Sequence, residues 1–440
     1  MKIIVYLPDN HKEERLYTVD YVFSFLGIEY ECKFSEDVCS SSVCFNNKRL
    51  VVEDCFWNKF PEGLDYLKIE SLPKVYYGKN DFTIEDDIPI LYGKNNICIT
   101  ESEIVCGLDI FSSIFFMLSR WEEYVVNVRD NHGRFPAKES IAYKYNFLHR
   151  PIVNEYIEFF WKLILYLGYC GNRKKREFDL NLTHDIDSFR IKNKFYFLTK
   201  EILMGFIKKR PINYKSYFKS FFIDSYNSFD FLMRSSEKYN RYSHFYFMSA
   251  DPRIDKNLQS VWLKKRKFKN TIEELMKRGH IVGFHPGYFT QNNSSQFHYE
   301  MEELNRIAQI SVKEGRQHYL KIELPESMRI LNNEKMEIDS SLGYADFDGF
   351  RCGTGDTFPY FDFINRKRLS ICEMPLVIMD STLLNYRNLD MERFKNTVMN
   401  YVNIGKKYNM PITLLIHNST FLHYPALKKV YTKILGETFQ

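Results

Sequence analysis

The sequence predicts an α/β chain in two parts: a smaller α/β domain over residues 1–178, and a C-terminal unit over 179–440 built as an α/β barrel or a doubly wound sheet. Three observations carry this. The 440 residues exceed one domain at the usual ~100–200 residues each. A Gly/Asn and basic cluster, Gly171-Asn172-Arg173-Lys174-Lys175-Arg176, has the composition of a boundary. Beyond it, short apolar runs alternate with helical stretches over the remaining residues, the pattern of strands joined by crossover helices.

Residues 2 to 7 read as a buried strand, Glu13 to Leu26 as an amphipathic helix and Ile28 to Phe34 as a second strand. From Glu101 to Val126 the apolar positions fit one long helix, and Tyr156 to Tyr169 supplies another. In the second part the strand candidates are Phe178 to Thr183, His244 to Met248, His280 to Phe284, Leu369 to Ile378 and Ile412 to Ile416. Between them lie helices such as Thr271 to Arg278 and Met391 to Tyr408. No fixed-period repeat and no low-complexity tract interrupts the pattern.

Composition narrows the class further. Lys plus Arg number 61 against 56 Asp plus Glu, a formal +5, too mild a bias to imply nucleic acid. Aromatics reach 17%, with 38 Phe and 31 Tyr, so disorder, collagen and coiled coil are excluded. Nine cysteines without a Cys-x-x-Cys pair indicate neither a zinc ribbon nor a paired disulfide framework. The apolar run at the N-terminus is shorter than a secretory core of ~7–15 residues, and Ile110 to Ser119 is shorter than the ~20 residues of a spanning helix. The expectation is a cytoplasmic protein, peripheral at the inner membrane face at most. The basic stretch Arg190 to Ser220 fits either an amphipathic contact with anionic membrane or a solvated helix on the barrel.

Four apolar strands end in residues that can do chemistry. Leu180-Asn181-Leu182-Thr183-His184-Asp185-Ile186-Asp187 sets two carboxylates two residues apart, hence on one face of a strand. Close carboxylates repel unless a cation offsets them, which suits a metal or acid/base site; a polar turn capping a helix fits the same residues. Ile281-Val282-Gly283-Phe284-His285 and Leu414-Leu415-Ile416-His417 each deliver a histidine, and extended geometry at Arg316-Gln317-His318 puts a cation and a histidine on one face. Singly, each also fits a satisfied polar group. Together they resemble a barrel site assembled from strand ends.

At these residues the chain resembles a known family. Asp185-Ile186-Asp187, Gly283-Phe284-His285, Arg316-Gln317-His318-Tyr319, Asp339-Ser340-Ser341 and Leu415-Ile416-His417 follow the order of the five motifs of the NodB-homology polysaccharide deacetylases, carbohydrate esterase family 4. The resemblance covers about residues 179 to 440. Ser119-Arg120-Trp121-Glu122-Glu123-Tyr124 and Gly349-Phe350-Arg351-Cys352-Gly353-Thr354 are similar to a bacterial subgroup with an uncharacterised N-terminal domain, often encoded with surface-glycan genes. The resemblance implies a distorted (β/α) barrel that removes acetyl groups from N-acetylated sugars with a divalent metal, zinc or cobalt. It casts Asp185 as general base and Asp187 and His285 as metal ligands. Arg316 would hold Asp185, with Asp339 supporting Arg316. The N–H of Tyr319 would serve the oxyanion, and His417 would be the general acid. Arg351 would shape the substrate side.

One departure matters. The family's second ligand histidine, four residues after the first, is replaced here by Phe289. Two ligands hold zinc weakly, since catalytic sites have three. His318 is the first candidate for the third and His298 the second. The expected activity is therefore metal-dependent deacetylation of an acetamido sugar in a capsule or O-antigen type pathway. The alternative is a non-catalytic glycan binder with a degenerate metal site.

Overall fold

The computed structural model describes residues 2–61, 63–189, 227–249 and 266–440. The basic stretch Arg190 to Ser220, read above as a membrane contact or a solvated helix, lies outside them. The chain forms two compact units: residues 1–177 with 349–375, and residues 178–348 with 376–440. One crossing falls at 177/178, next to the expected 178/179 division, and the segment 349–375 returns to the first unit.

The first unit holds β1 (Ile3–Pro8), β2 (Tyr30–Ser35), β3 (Ser41–Phe45), β4 (Lys48–Val52), β5 (Tyr76–Gly78), β6 (Ile88–Ile90), β7 (Gly93–Ile99) and β8 (Glu103–Leu108). Six of these make one mixed sheet in the order β2-β1-β3-β4-β8-β7, and β5 pairs with β6. The first expected strand-helix-strand unit is present, with helix Lys12–Leu26 between the parallel neighbours β1 and β2. The single helix expected over Glu101 to Val126 is not. Its first third is β8, whose β-branched Ile104 and Val105 pair with Leu50 and Val51 of β4. Asp109 then caps helix Ile110–Ser119, accepting from the Ser112 N–H at 3.1 Å, and Arg120 at φ 56° ends it. Every residue of that helix is buried, so its uncharged run is core. Among the described residues no helix is long and apolar enough to cross a membrane.

The second unit holds β9 (Leu180–Ile186), β10 (Ser243–Met248), β11 (Ile281–His285), β12 (Glu314–Gly315) and β13 (Ile338–Asp339). The segment that rejoins the first unit carries the antiparallel hairpin β14 (Phe358–Asp362) and β15 (Lys367–Glu373). The chain then returns as β16 (Leu376–Met379) and β17 (Ile412–Leu415). Within the second unit the order is β13-β12-β11-β10-β9-β17-β16. These neighbours are parallel throughout, and β13 does not pair with β16, so the wall is an incomplete barrel. Parallel pairing brings all seven C-terminal ends to one edge, where loops are free to carry chemistry. Leu369 to Ile378, expected as one strand, is two. Pro375 lacks the N–H a central strand needs, and the break falls where the chain changes units.

Segment 349–375 is held in the first unit by named bonds. The Phe350 N–H donates to the Leu148 carbonyl at 2.8 Å, the Val153 N–H to the Gly353 carbonyl at 2.9 Å, and the Tyr17 hydroxyl to the Pro359 carbonyl at 2.9 Å. Its Phe358, Tyr360 and Phe361 are fully buried, which makes them core. The two motif stretches of this unit meet in one ion network: Arg351 donates through Nε to Glu123 Oε1 at 2.9 Å and through Nη2 to Oε2, and Arg120 Nε reaches the same Oε1 at 2.9 Å. Burial opposes ionisation of Glu123, yet the two guanidinium groups hold its carboxyl below the usual range. Arg351, assigned to the substrate above, therefore has a protein partner.

A buried ion pair broken on one side strands its partner, a loss of about 3–5 kcal/mol. Glu123→Ala is expected to lose that much stability in urea unfolding, while zinc content stays at the wild-type level. Unchanged unfolding would remove the network's structural role.

Candidate metal and acid/base site

Strand geometry fixes the first positions. On β9, Asp185 is opposite Tyr246 of β10, and on β11 His285 is opposite Met248. Two glycines let β10, β11 and β12 approach. A Cβ on Gly283 would lie 2.6 Å from the Glu314 carbonyl oxygen, and one on Gly315 would overlap the Phe284 carbonyl. With Phe284 paired to Gly315, the His285 ring reaches the next strand's end, and its Nδ1 donates to the Arg316 carbonyl at 2.6 Å.

That bond assigns the proton to Nδ1 and leaves Nε2 with its lone pair, the arrangement of a metal-ligating histidine with its outer partner in place. Nε2 faces Asp187 Oδ1 at 3.2 Å, and His318 Nε2 lies 4.0 Å from the same oxygen. The donor atoms of Asp187, His285 and His318 lie within 4.8 Å of one another. Asp187 Oδ1 is buried, and with Nε2 of His285 unprotonated no donor among the described residues reaches it. Ligand atoms around a tetrahedral zinc at about 2.0–2.2 Å stand roughly 3.3–3.6 Å apart, so side-chain shifts of about an ångström would let this set hold one divalent cation through three protein ligands.

The charges agree. Burial and the nearby imidazoles lower His318 to about 3, which keeps it neutral and able to ligate. Burial opposes ionisation of Asp187, but the imidazoles of His285, His417 and His318 hold it below the ordinary carboxylate range. His285 goes the other way: burial disfavours its cation, and Asp185 and Asp187 together raise its pKa. The pocket calls for positive charge, as a proton or as a metal ion. His298 is elsewhere, exposed on helix Ser294–Ala308 with Nδ1 2.9 Å from Glu334. The structure thus brings His318, and not His298, to Asp187 and His285.

Asp185 stands beside this triad. One oxygen accepts from Arg316 Nη1 at 2.9 Å and the other lies 3.9 Å from His285 Nε2. Arg316 is 1% exposed and has no freedom to swing. Its Nε donates to the Ser340 carbonyl at 2.7 Å, Nη2 to Ser340 Oγ at 2.7 Å and Nη1 also to Thr183 Oγ1 at 3.0 Å, with the Tyr246 ring 5.1 Å below. Asp339 works one step removed. It accepts from the Ser341 N–H and hydroxyl, and Ser341 Oγ accepts from the Gln317 N–H, which fastens the turn after β12. Extended geometry ends at Gln317; His318–Leu320 is a turn in which Tyr319 has φ 62° and Leu320 φ 53°. Two such residues in succession cost of order 1–3 kcal/mol each. Burial of Leu320 among Ala345, Leu376, Met379 and Leu415 opposes that cost.

At the far side of β9, β16 and β17 deliver Asp380 and His417. His417 Nδ1 lies 2.6 Å from Asp380 Oδ1, and the His417 N–H donates to Oδ2 at 2.8 Å. The Ser381 N–H and the Thr420 hydroxyl complete four donors on one fully buried carboxylate. Burial alone would lower His417, but the charge of Asp380 and its hydrogen bond, with Asp187 and Asp185 adding to them, push it up to about 10. Sequence reasoning missed Asp380. Its signal was present: an apolar strand ending in an acidic residue, hidden because the strand was joined to β15 across Pro375. Thr183 and Ser340 were missed for want of any pattern that marks a hydroxyl as an arginine's partner.

Comparison with known proteins gives the following. Residues 3–168 match a family described as of unknown function, DUF7033. No curated protein matches the chain. Among solved structures it is similar to a Mycobacterium smegmatis protein assigned as a polysaccharide deacetylase, with 10% identity over 60% of this chain and 84% of that one and a TM-score of 0.40. It is also similar to the peptidoglycan deacetylase PdaC of Bacillus subtilis, with 11% identity over 61% and 87% and a TM-score of 0.31. A third is a Bacillus anthracis pseudoenzyme of carbohydrate esterase family 4, with 9% identity over 61% and 63% and a TM-score of 0.29.

The ligand set makes a direct prediction for elemental analysis after zinc loading and desalting. About one zinc per chain is expected in the wild type and in His298→Ala, and far less in His318→Ala or His285→Ala, since a catalytic site needs three ligands. Because His285 must shed its second proton to ligate, zinc affinity is expected to fall as pH is lowered, with protons released on binding. Retention of zinc by His318→Ala would remove it from the set.

Proposed function

We propose that the second unit hydrolyses the N-acetyl group of an acetamido sugar belonging to a surface glycan. The observation that carries this reading is the gathering of the Asp187, His285 and His318 donor atoms within 4.8 Å of one another, flanked by a carboxylate clamped to arginine and by a histidine clamped to aspartate. The five motifs in order add support from the sequence. The alternative of a degenerate, non-catalytic site rested on the missing second histidine, and His318 offers the third donor that it lacked.

Zinc or cobalt held by Asp187, His285 and His318 would supply a Lewis acid for the acetamido carbonyl. The rest falls to the chain. Arg316 pins one oxygen of Asp185, so the other is aimed at the triad's open side, where it accepts a proton from the attacking water. By the resemblance, the backbone N–H of Tyr319, next in sequence to His318, would donate to the carbonyl oxygen as it gains charge. Asp380 binds His417 Nδ1 and leaves Nε2 as the end that carries a mobile proton. Water adds to the carbonyl carbon, the C–N bond breaks, and His417 gives its proton to the departing sugar amine, leaving acetate and a free amino sugar. The glutamate network around Arg351 has no part in these steps.

Two variants separate base from acid. Asp185→Asn is expected to bind zinc and lose turnover by about 10²–10⁴-fold, the usual worth of a general base; wild-type acetate release from this variant would sink the assignment. Asp380→Asn removes the largest influence raising His417. Since His417 must be protonated to act, activity falls as pH rises through its pKa, and this variant is expected to move the alkaline fall of kcat/KM to lower pH by about 1–3 units. An unmoved alkaline limb would deny His417 the acid's role.

A further inference from the structure

We propose that Tyr319, Tyr288 and Phe289 form a sugar-stacking wall beside the metal triad, with Lys321 as its polar contact, and that this wall binds the neighbouring sugar of an oligosaccharide substrate. The inference deepens the deacetylase reading and rests on it for the identity of the ligand as a glycan.

Five rings run in series from the buried triad to the surface. His285 and His318 are 5.1 Å apart between centroids, His318 and Tyr319 4.5 Å, Tyr319 and Tyr288 5.5 Å, and Tyr288 and Phe289 5.1 Å. The two inner rings are buried, at 1% for His285 and 8% for His318, whereas Tyr319 is 39% and Phe289 49% exposed, with Tyr288 half-buried between them. Among the described residues Phe289 is the most exposed phenylalanine. Burying such a ring stabilises a protein by about 1.5–3 kcal/mol, and the free chain forgoes about half of that here.

The display is built. The turn that carries Phe289 is tied at both ends: the Gly287 N–H donates to Glu300 Oε2 at 2.7 Å, and Thr290 Oγ1 reaches the Gly287 carbonyl at 2.8 Å and Gln317 Oε1 at 3.1 Å. Lys321 Nζ sits 4.0 Å from the Tyr288 ring and 5.8 Å from that of Phe289, and donates to the Tyr288 carbonyl at 3.4 Å. Aromatic faces edged by an ammonium match a pyranose, which has an apolar C–H face and a rim of hydroxyls. Because the wall begins at ligand His318, a glycan with its acetamido group at the triad lays an adjoining ring against it. Phe289 stands four residues after His285, so the outermost ring of the wall lies on the turn that follows that histidine.

The test is calorimetric titration of the full-length chain, zinc-stripped and zinc-loaded, with N-acetylglucosamine and with tri-N-acetylchitotriose. The wild type is expected to bind the trimer about tenfold more tightly than the monosaccharide. Phe289→Ala and Lys321→Met should each lose most of that advantage with zinc content intact, and Phe289→Tyr should keep it. A trimer advantage that survives in both variants, or that is absent from the wild type, overturns the wall. Failure of the deacetylase reading looks different: trimer binding that depends on Phe289, with no acetate released by the zinc-loaded wild type.

Discussion

The site depends on how closely three parallel strands lie. β10, β11 and β12 meet with no room for a side chain at Gly283 or Gly315, and this proximity lets a ring on one strand end bond the backbone of the next. From that bond follow the tautomer of His285, the direction of its lone pair, and the convergence of three donors on one point. A residue larger than glycine at either position would push β12 outward and carry Arg316 and His318 with it. His318 and Asp185 would shift together, because a single turn holds both His318 and the Arg316 clamp on Asp185.

Rigid support and stored strain divide the remaining work. Arg316 has no unoccupied direction in which to move, and Asp380 gathers four donors, so the two polar clamps on either side of β9 are fixed before any substrate arrives. The left-handed turn at Tyr319 and Leu320 is the costly element. It is retained by the apolar cluster it shares with Leu376, Met379 and Leu415, the residues that lead into Asp380 and His417. One cluster therefore registers the Tyr319 turn against the Asp380–His417 pair, so that packing, rather than hydrogen bonding, sets their relative position.

Much of the second unit was legible because its chemistry sits where periodicity ends. Short apolar runs stopping at Asp185, His285 and His417 are conspicuous, and parallel strands carry such ends to one edge. What lay beyond reach was long-range. Nothing local to Arg351 announces a glutamate more than two hundred residues earlier, and nothing in Ser340 announces Arg316. Joining β15 to β16 concealed Asp380, since apolar content alone runs through Met374-Pro375 and only the missing N–H of proline marks the break. Reading Glu101 to Val126 as a helix failed for a similar reason: Asp109 divides strand from helix, and its role as a cap was outvoted by the hydrophobic count.

The return of residues 349–375 to the first unit has a consequence for synthesis. A ribosome finishes residue 177 and must add 171 more, residues 178–348, before it makes the piece that completes the unit it began with. At about 5–20 residues per second that interval is roughly 10–35 s. Throughout it Glu123 lacks Arg351 and the faces destined for β14 and β15 stay open to water or to chaperones. Translation then moves straight from that missing piece into β16, so the residues that close the first unit are followed within a few positions by Asp380. The order of the gene thus postpones Asp380, the partner of His417, until the first unit has been made whole.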